Sequence, residues 1–247
     1  MYTHTQEIRE SLSPQDALQI LKEGNARFGA NLRANRNLLQ QVNETRDGQF
    51  PFAAILSCID SRTSAELIFD QGMGDIFSIR IAGNFLNNDI LGSLEFACRI
   101  AGAKLIVVLG HSRCGAIMGA CDRVELGHLT QLLLNIIPAV DAIVNPSDPA
   151  SRTSANEEFV EAVAAENVRR VVEAIPEQSH VLNEMTMSGA IDIVGGLYDV
   201  TTGSVKFLPN PLPIRNRGES DRGSLVSALE SANPRSGGGH ESSGPSR

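Results

Sequence analysis

Leu105-Ile106-Val107-Val108-Leu109-Gly110-His111-Ser112-Arg113-Cys114 is an unbroken apolar run that ends in glycine, histidine and cysteine. An apolar run without polar alternation describes a strand covered on both faces, as in a parallel sheet packed between helices. Working outward, Phe52-Ala53-Ala54-Ile55-Leu56 has the same character, and Ile76-Phe77-Ser78-Ile79-Arg80-Ile81 reads as a further strand between the two. A helix is expected over 89–101, with Asp89 as its cap and Gly102 as its stop. Strands alternating with helices imply right-handed crossovers. Toward the end, 191–200 and 204–208 flank Thr201-Thr202-Gly203 and read as a hairpin, so the last strand runs antiparallel to its neighbour. The fold class is therefore α/β: a mainly parallel central β-sheet with an antiparallel C-terminal strand, flanked by helices and preceded by an N-terminal helical arm.

In that arm Ser13 is a good N-cap, Pro14 suits the first helical position, and Asp16 meets the positive end of the helix dipole. Leu18, Leu21 and Phe28 recur at roughly helical spacing. Two long helical stretches are expected over 129–144 and 155–175, separated by Asn145-Pro146-Ser147-Asp148-Pro149. The chain then divides into a helical arm (1–50), one domain (51–209) and a Ser-, Gly- and Pro-rich tail (210–247). That tail is expected to be disordered, since it has too little apolar surface to bury.

The 247 residues allow a sizeable core, and the net charge of −8 argues against nucleic acid as a partner. No stretch approaches the ~20 apolar residues that span a bilayer. The polar start Met1-Tyr2-Thr3-His4-Thr5-Gln6-Glu7 has no basic segment followed by an apolar one, so the chain is expected without a signal peptide and in the cytoplasm. Four cysteines in so long a chain do not look like a disulfide framework.

Three of the residues that close the apolar runs are metal-binding types. Cys58 follows the first run, and His111 and Cys114 follow the third, at the strand ends where open α/β sheets bind ligands. Two thiolates and an imidazole favour zinc over magnesium or calcium. They supply three ligands to an ion that prefers four, and an open fourth position marks a catalytic rather than a structural site. Asp60 and Arg62, two and four residues past Cys58, are the candidates to control that position. For the three ligands alone, a structural zinc or no zinc is the alternative, and the Asp60–Arg62 spacing argues against it. Cys98 and Cys121 read as small buried hydrophobes. His4, His128, His180 and His240 lack ligand-like neighbours and read as solvent-facing or locally hydrogen bonded. Arg80, at a strand end near the pocket, needs an ion pair or an anion.

Cys58-Ile59-Asp60-Ser61-Arg62 followed by His111-Ser112-Arg113-Cys114 resembles the β-class carbonic anhydrase family. So do Glu66-Leu67-Ile68-Phe69-Asp70, Arg80-Ile81-Ala82-Gly83-Asn84, Gly92-Ser93-Leu94-Glu95-Phe96 and Tyr198-Asp199-Val200-Thr201-Thr202-Gly203. The resemblance implies an enzyme, a carbonic anhydrase (carbonate dehydratase, a zinc lyase), that reversibly hydrates carbon dioxide to bicarbonate and a proton. It implies one Zn²⁺ per subunit on Cys58, His111 and Cys114, with segment 51–209 as the zinc domain. Asp60 and Arg62 would form the catalytic dyad that orients the nucleophile. Asp60 would take the metal as fourth ligand only in a closed, inactive form. Arg80 and Gly83 are the substrate-binding candidates. A homodimer or dimer of dimers is implied, with N-terminal helices embracing the partner, and a small-molecule substrate rather than nucleic acid or membrane. Hydrolysis of carbonyl sulfide or carbon disulfide at the same zinc, or an inactive zinc-binding regulatory domain, are the alternatives. Two thiolates cancel the charge of Zn²⁺, so its water should ionise less readily than the ~7 of a three-histidine site, and activity is expected to rise with pH. Some family members hold regulatory bicarbonate with Trp, Arg and Tyr. This chain has no Trp, so that regulation is not expected.

Overall fold

The strand over Leu105–His111 (β3) lies at the centre of a sheet that also contains β1 (Ala53–Ser57), β2 (Ile76–Arg80), β4 (Asp192–Tyr198) and β5 (Val205–Phe207). The computed structural model describes residues 5–209. The tail expected over 210–247, with His240, and the N-terminal His4 lie outside the described residues. Strand order is β2-β1-β3-β4-β5, with every pair parallel except β4–β5. Every residue of β1 and of β3 is buried, as unbroken apolar runs require of strands covered on both faces. Ser57 pairs with both Arg80 and Leu109, so the C-terminal ends of three strands open on one edge.

Three helices precede the sheet: α1 (Gln6–Ser11), α2 (Pro14–Gly29) and α3 (Leu38–Glu44). Ser13 and Asp16 cap α2 reciprocally, each side chain accepting the other's backbone N–H. A short helix, α4 (Ala65–Ile68), follows β1. The helix expected over 89–101 is shorter and differently started. Asn87 caps α5 (Asn88–Glu95) by accepting from the Ile90 N–H at 2.9 Å, and Asp89 sits in its first turn. The chain then passes into a π-helical turn, Phe96–Ile100, before Gly102 at φ +83°.

The stretch expected over 129–144 splits into α7 (Gly127–Leu133) and α8 (Ile137–Ala142), after α6 (Gly115–Cys121). Pro138 is the reason: it cannot donate within a continuing helix but fits the first turn of a new one. α9 (Glu157–Gln178) forms as one helix, capped by Asn156, and tolerates Pro176 near its end. α10 (His180–Met187), capped by Ser179, has no counterpart in the sequence reading. α9 lays an apolar stripe across β3 and β4. A Cβ at Gly110 would lie 2.6 Å from Val168 Cγ2 and 3.1 Å from Leu197 Cδ2, so glycine is what lets β3 pass under α9 just before His111. Among the described residues, no helix is long and apolar enough to cross a membrane.

Candidate metal centre

The strand register brings the three ligand candidates together. Cys58 follows the last residue of β1, His111 is the last residue of β3 rather than a loop residue beyond it, and Cys114 is the residue before α6. All three are buried, and their donor atoms lie within 4.8 Å of one another. The Cys58 and Cys114 sulfurs are 3.9 Å apart. Two thiolates on a tetrahedral zinc with Zn–S of ~2.3 Å would stand about 3.8 Å apart, so the pair already has the spacing the ion needs.

His111 adds the matching lone pair. Its Nδ1 is 2.9 Å from the Ser112 carbonyl, which only accepts, so Nδ1 carries the proton. Nε2 is then the neutral acceptor, and it is buried with no hydrogen-bond partner among the described residues. A buried lone pair beside two thiols, with the ring held from its other nitrogen, is the arrangement of a metal-ligating histidine. The donor set fits a soft, tetrahedral divalent ion.

Asp60 and Arg62 sit beside these ligands on the loop that leaves Cys58. Arg62 donates to Oδ1 of Asp60 from its backbone N–H (2.9 Å) and Nε (3.0 Å), and to Oδ2 from Nη2 (2.8 Å). The fork occupies one side of both carboxylate oxygens. Buried Thr63 ties the loop from within, its hydroxyl directed at the Cys58 and Asp60 carbonyls at 3.0 and 2.8 Å. The end of β2 and the turn after it supply the remaining braces. Arg80 donates to the Cys58 carbonyl (3.0 Å) and the Asp60 carbonyl (2.7 Å), and the Gly83 N–H is 3.4 Å from Cys58 Sγ.

These contacts set the charges. The Arg62 side-chain hydrogen bonds hold Asp60 down to about 2 against an opposing effect of burial, with help from the Arg62 backbone N–H. Cys58 is held well below the ordinary thiol range, chiefly because Cys114 donates to its sulfur. Burial opposes this, and the Gly83 N–H assists. Cys114 is pushed up in turn, because it keeps the proton that Cys58 gives up. Burial raises Cys98 to about 12 and Cys121 to about 11, and both stay inert thiols.

Tyr198, paired with His111 across β3 and β4, was not singled out as a site residue in the sequence. It is buried, with its hydroxyl pushed upward by that burial against the pull of Arg62. Nor was Asn167, whose amide reaches the Gly83 carbonyl from α9. Neither has a local signal, because each meets the site through a partner distant in sequence.

A sequence model of the carbonic anhydrase family matches residues 53–205. The chain is 33% identical over 197 residues to a carbonic anhydrase of Mycolicibacterium smegmatis, covering 79% of this chain and 93% of that one. It is 34% identical over 199 residues to carbonic anhydrase 2 of Mycobacterium tuberculosis, covering 77% and 91%. Among solved structures, the β-carbonic anhydrase of the fungal pathogen Aspergillus fumigatus superimposes with a TM-score of 0.64 at 26% identity, covering 81% of this chain and 92% of that one. With the buried Cys–His–Cys cluster at the strand ends and these relatives across most of its length, the chain belongs to the β-carbonic anhydrase family of enzymes.

Proposed function

We propose that the chain catalyses the reversible hydration of carbon dioxide to bicarbonate and a proton, with zinc held by Cys58, His111 and Cys114. When bound, zinc supplies the Lewis acidity that turns water into a nucleophile near neutral pH. The chain's own residues do the positioning. Asp60, ionised at any working pH, accepts a hydrogen bond from the attacking oxygen and turns its lone pair toward carbon dioxide. Arg62 keeps both Asp60 oxygens engaged, which restrains Asp60 from becoming the fourth ligand. The observation that carries the reading is this one: a carboxylate is clamped by a bidentate guanidinium beside three convergent metal donors. A site meant only to hold a metal has no need to restrain a carboxylate from becoming its fourth ligand.

Arg80 and Gly83 remain proposals as substrate contacts, since their hydrogen bonds run to the Cys58 loop. The family resemblance supports a cytoplasmic homodimer or dimer of dimers, and light scattering on the full chain checks the assembly; a monomer overturns it. The test of function is stopped-flow hydration of carbon dioxide by wild type and Asp60→Asn, with zinc content measured on both. Lost activity with retained zinc is expected, and unchanged activity overturns the role of Asp60. Wild-type activity is expected to rise between pH 6 and 9. A flat profile there would contradict the two-thiolate site, and faster turnover of carbonyl sulfide would reassign the substrate.

A further inference from the structure

Asn167 is the one polar residue on the buried stripe of α9, where its neighbours Val163, Ala164, Val168 and Val171 are aliphatic. It is 3% exposed. An amide at such a position is destabilising unless its hydrogen bonds are made. Its Nδ2 donates at 2.9 Å to the carbonyl of Gly83, far away in sequence. The acceptor belongs to no helix or strand: Gly83 lies in the turn between β2 and α5.

That turn passes through the left-handed region. Gly83 has φ +78° and Asn84 φ +40°, and a Cβ at Gly83 would stand 2.4 Å from Ile136 Cδ1. A non-glycine residue at positive φ, such as Asn84, persists where its surroundings over-determine it. Asn84 itself gives little help, since its Nδ2 is buried without a hydrogen-bond partner among the described residues. The same glycine that receives Asn167 on its carbonyl presents its N–H to Cys58 Sγ at 3.4 Å. A chain of two hydrogen bonds therefore runs from the middle of α9 to a ligand sulfur.

We propose that Asn167 is a positioning residue for the metal centre: by fixing the Gly83 carbonyl it keeps the Gly83 N–H on Cys58 Sγ and so aims that sulfur at the metal. The inference rests on the reading of Cys58, His111 and Cys114 as a zinc site. Partners that orient metal ligands in this way change metal affinity by about 10–100-fold when removed. A role confined to packing would change stability and leave the metal alone.

The experiment compares full-length wild type, Asn167→Leu, Asn167→Ser and a packing control, Val171→Ala, on the same helix stripe. Zinc affinity is measured by competition with a chelator, and the cobalt-substituted proteins are compared by their sulfur-to-metal charge-transfer absorption. Folding is followed by circular dichroism. The expected result is zinc binding about 10–100-fold weaker and an altered cobalt band in the Asn167 variants, with both unchanged in Val171→Ala. A folded Asn167 variant with wild-type zinc affinity and a wild-type cobalt band overturns the proposal. So does failure of both Asn167 variants to fold while Val171→Ala folds, which assigns the amide to structure alone. If wild type takes up neither metal, the zinc reading itself falls, and this inference with it.

Discussion

Two aspartate–arginine clusters in this molecule use the same chemistry for opposite ends. Asp70, after α4, is 5% exposed and receives Arg27 Nε on Oδ2 at 2.6 Å, Arg36 Nη1 on Oδ1, and the Ala34 N–H. Arg36 is itself 6% exposed and also donates to the Asp70 carbonyl. The Asp60 carboxylate has a single arginine, and the Arg62 side chain is 49% exposed. Burial pushes the Asp70 carboxyl up, but the Arg27 and Arg36 hydrogen bonds outweigh it and the net shift is downward, as at Asp60. The difference lies in what is left over. Asp70 is surrounded by donors from the N-terminal arm and stitches that arm to the sheet. The Asp60 carboxylate is gripped by one residue, and Oδ2, with a single donor, keeps a lone pair available.

The comparison is broken most forcefully by removing each negative charge in turn. Asp60→Asn should lower hydration of carbon dioxide by about 10²–10³-fold, the loss typical of one oriented hydrogen bond to the reacting atoms. Its urea midpoint should fall only modestly, far less than that of Asp70→Asn, because the ion pair it loses is half-exposed and the cation it leaves behind is solvated. Asp70→Asn should do the reverse. It strands Arg36 as a buried, uncompensated charge, which should destabilise the fold by roughly 3 kcal/mol in urea titrations. Activity per folded molecule should be kept. If both variants lose stability alike, or both lose activity alike, the division of labour drawn between the two clusters is wrong.

A smaller effect tests the geometry of the grip. Arg62→Lys keeps the charge but cannot fork across both oxygens. Activity should fall about tenfold, the low end for a residue that acts through another, with zinc retained. Hydration of carbon dioxide at matched zinc content checks it, and full activity in Arg62→Lys would show that charge alone restrains Asp60.

Much of this was legible because it is local. The apolar runs that form β1 and β3 carry their burial in their composition, and Cys58 and His111 sit two positions past where those runs end. Ser13 and Asp16 announced the start of α2 through a spacing the capping box imposes. What stayed hidden depends on partners brought in by the fold. The start of α5 is ambiguous in sequence because Asn87 and Asp89 are both good caps, and only the extended backbone at Asn87 decides between them. The π-helical turn after Glu95 has no composition of its own. Arg36 and Asn167 look like ordinary surface residues until Asp70 and Gly83 arrive from elsewhere in the chain.

The smallest expected effect is the dependence of stability on acid, and its sign follows from the direction of the shifts. A carboxyl whose folded pKa is depressed contributes stability that is present above its unfolded value, near ~3.9, and that is lost as pH falls through the folded value. Asp60, at about 2, and Asp70, also depressed, both contribute in this sense. Between pH 7 and about 4 neither contribution should change, so the stability gap between wild type and Asp70→Asn should hold constant there. Below about 4 the unfolded wild-type chain takes up a proton at Asp70 that the folded chain refuses, and the gap should narrow. Paired urea titrations at pH 7, 5 and 3 measure it. A gap that widens toward pH 3 would mean that Asp70 is protonated more readily in the folded protein than in the unfolded chain. The two arginines would then not be holding a carboxylate there at all.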